Sequence, residues 1–375
     1  MTSQPGPNLQ IPRVHLEGSS YEIGFKHGHV LKEQILSQLE IYREIFQQNC
    51  KFDWPHVRSI SEGFKTSIGL LAPELLEEIG GIADGVADPN VDIIDIVALN
   101  ARSEIALGQW DDGCTSLAWH IGDKQILAQN WDWRVSVGKN LAIAFIRQAG
   151  KPDITMVIEP GIVGKIGFNS SSVGVCLNAI RARPTSTSLL PIHLLLRIAL
   201  ECPSVDAAIA KIESLGGAAS SQHILIADLH GGRALELSPL GGVYLPEDQY
   251  GIIVHTNHFL ENKLVQEPPW LNGSPFRLER ARSLCAELRE QANSKGEDLD
   301  KKITPVVLRS RIFSDTANSP QAICCSADPA RGDVGNVETL FNIIMIFKKG
   351  ETPRAEVVFG KPSISSQYHS EILTL

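Results

Sequence analysis

A chain of 375 residues, 43% hydrophobic and 21% charged, is long enough for one large domain or two ordinary ones around a well-buried core. Its 34 basic and 43 acidic side chains leave a net charge of −9, which lacks the concentrated positive field that nucleic acid or an anionic membrane requires, so both partners are disfavoured. No apolar stretch approaches the roughly 20 residues that span a bilayer.

The start, Met1 to Pro12, is polar and proline-bearing and does not read as a secretory signal. Seven cysteines, an odd count without framework spacing, predict reduced thiols in a cytosolic protein, and the Asn-x-Ser matches at Asn169 and Asn272 are then chance. Apolar residues Leu31, Ile35, Leu39, Tyr42 and Ile45 recur at helical spacing, and Ile60 to Ala87 gives a weaker helical pattern interrupted by Pro73. The first hundred residues are therefore expected to be mostly helical.

After Asp112 short β-branched runs predict buried strands: Gln125–Asp132, Leu141–Arg147, Ile154–Ile158, Val173–Ile180 and Ile224–Asp228. Amphipathic helices are expected at Pro191–Glu201, Val205–Leu215 and Pro275–Arg289, with strands again at Ile252–His255, Glu338–Phe347 and Ala355–Val358. Gln291–Lys301 reads as a polar loop. Many strands with helices grouped between them point to an α+β fold of stacked sheets covered by helices.

The chemistry concentrates at Gln109-Trp110-Asp111-Asp112-Gly113-Cys114-Thr115-Ser116, where a turn-forming acidic loop delivers a cysteine to the start of a strand. A glycine before it has no Cβ, tolerates unusual dihedrals and leaves its carbonyl carbon open to the neighbouring thiol. Attack of that thiol would turn the Gly113–Cys114 peptide into a thioester that water cleaves. The freed α-amine, with an ordinary pKa of about 7.7 to 8.0, would then serve as general base for its own thiol. Gly-Cys alone favours the plainer reading, an ordinary buried thiol.

Further runs change that balance. Tyr21-Glu22-Ile23-Gly24 with His27-Gly28, Glu78-Ile79 with Gly81-Ile82-Ala83, and Leu99-Asn100 precede Asp112-Gly113-Cys114-Thr115 and Gln129-Asn130-Trp131-Asp132. Gly161-Ile162 through Gly167-Phe168-Asn169, Leu196 to Glu201, His255-Thr256-Asn257-His258 and Leu340-Phe341-Asn342-Ile343-Ile344 follow in order. Over nearly its whole length the chain resembles the acyl-coenzyme A:isopenicillin N acyltransferases of filamentous fungi, the peptidase C45 family of N-terminal nucleophile hydrolases.

That resemblance implies a four-layer αββα sandwich in one domain, cut at Gly113–Cys114 into a small subunit of residues 1–113 and a large one of 114–375 that stay together as a heterodimer. It implies Cys114 as nucleophile, Asn257 as an oxyanion-hole amide and Asp132 as an active-site carboxylate that orients the freed ammonium. Substrate contacts are implied at Thr115, Ser221 and position 325. From the residues alone, Asp132 is equally a solvated strand-end aspartate and Asn257 a turn asparagine, while the pair Ser220-Ser221 leaves the serine's register open.

The pattern breaks at Ala322-Ile323-Cys324-Cys325-Ser326, where penicillin-forming relatives carry an arginine for a substrate carboxylate; a thiol lacks that charge and fork. Arg309 and Arg331 stand nearby but read as solvated surface arginines. The C-terminus Ile372-Leu373-Thr374-Leu375 lacks a peroxisomal address, again giving cytosol. Gly161, Gly164 and Gly167 read as a turn between strands rather than a dinucleotide fingerprint, His255 and His258 lack metal partners at convincing spacing, and Cys324 and Cys325 read as two thiols.

The expected activity is N-acyl transfer through a Cys114 thioester from acyl-coenzyme A, a cosubstrate, or from an amide to a small amine. No cofactor or metal is expected. Hydrolysis of a small acylated amine and a catalytically inert homologue are the alternatives, and a papain-like protease is poorer still.

Overall fold

The computed structural model describes residues 11–106, 113–268, 273–328, 330, 332, 336–362 and 370–375. The chain opens with strand β1 (Arg13–Glu17), absent from the sequence expectation, and then turns helical: α1 (Ser20–Val30), α2 (Lys32–Ile45), α3 (Trp54–Leu71), α4 (Pro73–Val86), α5 (Ile93–Asn100) and the single turn α6 (Arg102–Ile105). Local chemistry sets these ends. Ser19 and Glu22 form a reciprocal capping box on α1, Asp92 and Asp95 another on α5, and Pro73 stands in the first turn of α4, so the long helical pattern breaks at Ala72.

Strand structure follows in β2 (Thr115–Ile121) and β3 (Lys124–Arg134), then the turn α7 (Val135–Gly138), β4 (Ala142–Arg147), β5 (Ile154–Ile158), β6 (Ile166–Asn169) and β7 (Gly174–Ala179). Helices α8 (Ile192–Leu200) and α9 (Val205–Ser214) precede β8 (Gln222–Asp228), β9 (Gly231–Ser238), β10 (Gly241–Pro246) and β11 (Ile252–His255). The remainder is α10 (Ser274–Lys295), the turns α11 (Leu299–Lys302) and α12 (Pro305–Leu308), and β12 (Val337–Lys348), β13 (Arg354–Phe359) and β14 (Ser370–Thr374). The polar loop expected at Gln291–Lys301 is not one: α10 continues to Lys295, Gly296 at φ 62° ends it, and α11 begins three residues later. Its solvated last turn has no apolar stripe to betray it.

Two sheets carry the fold. One has eight strands in the order β1-β4-β5-β6-β7-β8-β9-β10, the other six in the order β11-β2-β3-β12-β13-β14. Adjacent strands pair antiparallel except β1 with β4. Strand alternation divides the core: Ala118, Leu127, Ile343 and Met345 face the other sheet, whereas Leu117, Trp119, Ile126, Ala128 and Ile344 face Leu278, Ala281, Leu284 and Leu288 of α10. Helices α8 and α9 lie against the eight-stranded sheet, and α5 packs on α8. The result is an α+β sandwich of helix, sheet, sheet and helix layers.

Helices α1 and α4 cross at close range through four glycines. A Cβ on Gly24 would stand 2.0 Å from the Glu78 carbonyl oxygen, on Gly28 2.1 Å from that of Ile82, on Gly81 2.3 Å from that of Tyr21, and on Gly85 2.1 Å from that of Phe25. The adjacent Gly80 would meet only the Ile93 methyl, at 3.5 Å. Neighbouring glycines of one helix should therefore respond with opposite sign. Gly81→Ala is expected to lose about 3 kcal/mol, the upper end of overpacking, and Gly80→Ala to gain up to about 1 kcal/mol from helix propensity. Urea unfolding of the two variants checks this.

Candidate active site

Strand register brings the expected residues to one end of the six-stranded sheet. Thr115 pairs with Asn130 and Ser116 with both Gln129 and His255, so the residues just beyond these pairs, Gly113-Cys114 before β2 and Asn257 after β11, lie beside Trp131-Asp132 of β3. Thr339 of β12 pairs with Asp132 on the far side. Gln109 to Asp112, the loop expected to lead into Cys114, lie outside the described residues.

Cys114 is buried, and its Sγ lies 3.7 Å from the Asp132 carbonyl oxygen. Asp132 is 0% exposed, which excludes the solvated reading. Its Oδ1 accepts the Thr339 hydroxyl at 2.6 Å, and its Oδ2 lies 2.8 Å from where a Cβ on residue 113 would be. A side chain at 113 would press on the carboxylate end of Asp132, and the glycine before Cys114 leaves that oxygen room.

Cys325 joins the same group. Its N–H donates to Thr339 Oγ1 at 3.0 Å, and its thiol is pushed well above the usual range by burial, to which the Asp132 charge adds and Arg277 is opposed. The side chain at 325 is therefore neutral. No disulfide joins any of the seven cysteines, Cys324 and Cys325 included.

Asn257 is fully buried, and its side chain does not serve a turn. Nδ2 donates to the Ala179 carbonyl at 2.9 Å, Oδ1 accepts from Arg277 Nη2 at 3.0 Å, and the backbone N–H donates to Ser274 Oγ at 2.8 Å. Arg277, unnoticed in the sequence, is 0% exposed and also donates from Nη1 to the Cys114 carbonyl at 2.5 Å and to Thr115 Oγ1 at 3.1 Å. The leucine stripe of α10 holds this guanidinium in place, each buried leucine contributing about 1.5–3 kcal/mol. The only signal in the sequence was a cation beside the helical stripe, at its N-terminal end.

Next to Cys114 lies a second buried group. Glu159 accepts from Arg102 Nη2 and Lys165 Nζ, both at 2.7 Å, from Gln38 Nε2 at 2.9 Å and from the Tyr42 hydroxyl at 2.5 Å. Burial alone would raise its carboxyl, but Arg102 and Lys165 outweigh this and hold it well below the usual carboxylate range. Burial lowers Lys165 to about 8 despite Glu159, and the Cys114 sulfur is close enough to act on it. Its ammonium lies 4.0 Å from the centre of the Trp131 ring.

The structure separates the two serines. Ser220 donates to Glu104 Oε1 at 2.7 Å and accepts from Gln222, while the Ser221 hydroxyl, buried just before β8, has no hydrogen-bond partner among the described residues. Arg309 is not a free surface arginine: it donates to Asn342 at 3.1 Å and to Glu356 at 3.3 Å. Arg331 and Asn272 lie outside the described residues. His255 bridges Glu236 and the Thr256 carbonyl, both at 2.9 Å. Asn169 is fully buried, donating to the Leu200 and Cys202 carbonyls. Gly161 and Gly164 lie between β5 and β6, and Gly167 within β6.

The layered α+β sandwich sets a buried Gly-Cys junction where β2 begins. The sequence model of the family described as acyl-coenzyme A:6-aminopenicillanic acid acyl-transferase matches residues 119–326, and the chain belongs to that family. It is 32% identical over 335 residues, 88% of each chain, to the acyl-coenzyme A:6-aminopenicillanic-acid-acyltransferase 40 kDa form of Emericella nidulans. Among solved structures, penicillin V acylase from Agrobacterium tumefaciens matches at a TM-score of 0.48 and 11% identity, over 70% of this chain and 86% of that one. The family match contains Asp132, Ser221, Asn257, Arg277 and Cys325 and begins five residues after Cys114.

Proposed function

We propose that the chain is a self-processing N-acyltransferase whose Cys114 first cleaves its own precursor and then carries the acyl group. The observation that carries this reading is the placement of Cys114 at the start of β2, between Asp132, against Gly113, and the buried amide of Asn257. In processing, the Cys114 thiol adds to the Gly113 carbonyl, the C–N bond breaks as the nitrogen takes the thiol proton, and water hydrolyses the resulting thioester. The products are a Gly113 carboxylate and a Cys114 bearing both thiol and α-amine.

In turnover the α-amine takes the thiol proton, the thiolate attacks the thioester of an acyl-coenzyme A or the carbonyl of an amide, and coenzyme A or an amine leaves. A second amine then resolves the acyl-enzyme. Asn257 donates to the tetrahedral oxygen, and Asp132 faces the new ammonium. Thr115 and Ser221 lie on the substrate side. Acyl-coenzyme A is a cosubstrate, no bound prosthetic group is needed, and the two fragments remain one heterodimer. With a neutral thiol at 325, acceptors without a carboxylate at that position are favoured over 6-aminopenicillanic acid, which the curated relative's name specifies.

The test is intact mass spectrometry of the purified chain, before and after incubation with a panel of acyl-coenzyme A thioesters and amines that includes 6-aminopenicillanic acid. Two fragments meeting at Gly113–Cys114, an acyl adduct on the fragment that begins at Cys114, and amide product support the transferase. Free acid in place of amide makes the protein a hydrolase. A chain that stays whole makes it an inert homologue.

A further inference from the structure

We propose that Arg277 is a positioning residue for the oxyanion donor, acting through Asn257 without touching substrate. This rests on the transferase reading above and assigns one of its parts.

A side-chain amide can present either its oxygen or its NH2 toward the nucleophile, and only the NH2 stabilises an oxyanion. The choice at Asn257 is made by its two neighbours. Arg277, with no acceptor atom of its own, takes Oδ1 at 3.0 Å, and the Ala179 carbonyl, with no donor, takes one N–H of Nδ2 at 2.9 Å. The flipped amide would set its NH2 against the guanidinium and its oxygen against a carbonyl. The second N–H of Nδ2 is thereby left to the reaction.

The other arm of the guanidinium reaches the Cys114 carbonyl and Thr115 Oγ1, so one rigid, planar group from α10 spans the nucleophile strand and the oxyanion loop. Ser274, three residues earlier on the same helix, fixes the backbone of Asn257 as well. Lysine keeps the charge but presents one nitrogen where arginine presents two, so it cannot hold both strands.

The experiment is a double-mutant cycle on the processed enzyme: wild type, Arg277→Lys, Asn257→Ala and the double variant. Release of coenzyme A from the best thioester of the panel is read as kcat and KM. Arg277→Lys and Asn257→Ala are each expected to lose about 10²- to 10³-fold in kcat, with KM within about threefold, and the double variant to be within about threefold of Asn257→Ala. Losses that multiply in the double variant, or wild-type kcat in Arg277→Lys, would overturn the proposal and leave the transferase reading intact. A wild type that neither cleaves nor transfers overturns that reading instead.

Should Arg277→Lys fail to fold, Asn257→Asp and Asn257→Leu test the same link from the other side. The aspartate keeps an acceptor for Arg277 but sets its other oxygen against the Ala179 carbonyl, so thermal stability above that of the leucine variant, with about a 10²-fold loss of kcat, is expected. The leucine should lose both stability and turnover. Equal stability of the two would count against the link.

Discussion

Cys114→Ala is expected to leave a single uncut chain of 375 residues and to reduce acyl transfer to the uncatalysed background. Both losses follow from one atom, because in the proposed function the same sulfur attacks the Gly113 carbonyl once and the acyl donor in every later cycle. The background is low since residues of a nucleophilic unit act together: removing such a nucleophile elsewhere costs on the order of 10⁶ in kcat. The fold should survive, because the substitution removes one sulfur from a buried position and leaves the partners of the Cys114 carbonyl in place. Cys114→Ser, with a hydroxyl of much higher pKa, should process slowly rather than not at all. Intact mass after timed incubation, with circular dichroism as the fold control, separates the three proteins. Cleavage at Gly113–Cys114 in the alanine variant would refute the nucleophile assignment.

Glu159→Gln has the second large effect, on stability and on the association of the fragments. The glutamine keeps the shape of the side chain but leaves Arg102 and Lys165 buried without their shared carboxylate, a change that typically costs about 3–5 kcal/mol. Arg102, Gln38 and Tyr42 precede the proposed cleavage point, whereas Glu159 and Lys165 follow it. The same carboxylate therefore ties the two fragments together, and in the variant they should separate at lower urea, which size-exclusion chromatography reads directly.

The pH dependence has a definite sign. The folded carboxyl is held below its ordinary value, so the unfolded chain binds the proton more readily. The stabilisation is fully present above the unfolded value of about 4.3 and is lost as the pH falls toward the folded one. The difference in unfolding free energy between wild type and Glu159→Gln should be flat from about pH 6 to 8 and narrow below about pH 4. Lys165 acts in the same direction at the alkaline end: with a folded value of about 8 against an ordinary 10.4, its burial opposes folding below pH 8, and stability rises as that opposition fades with rising pH. A gap that widens in acid would rule out the ionised cluster.

What was legible in the sequence was whatever physical chemistry encodes locally. The apolar runs Ile126–Ala128 within β3 and Ile343–Phe347 within β12 lie on strands buried on both faces, and the amphipathic spacing of α8, α9 and the first part of α10 marks the side that meets a sheet. Strands β9 and β10, which begin on glycine pairs and carry Arg233, Glu236 and Pro246, gave no such signal, and neither did the short strands β1, β6 and β14. The motif around Cys114 pointed to a reactive junction, and the resemblance supplied Asp132 and Asn257.

Tertiary structure alone supplied the partners. Arg277 is 163 residues from Cys114, and Thr339 is 207 from Asp132, separations at which no periodicity or spacing carries information. Glu159, Arg102 and Lys165 read singly as ordinary surface charges, and only their burial around one carboxylate makes them a unit. The contact at Gly113 is also invisible in the sequence, the Asp132 carboxylate lying against the place where a side chain would stand. Helical periodicity, apolar strand runs and the Gly-Cys junction are properties of neighbouring residues, so the sequence by itself determined most of the elements and marked Cys114 as a candidate. Charge pairing, amide orientation and close backbone approach are distances between remote residues, which exist only once the sheets have registered and the helices have packed.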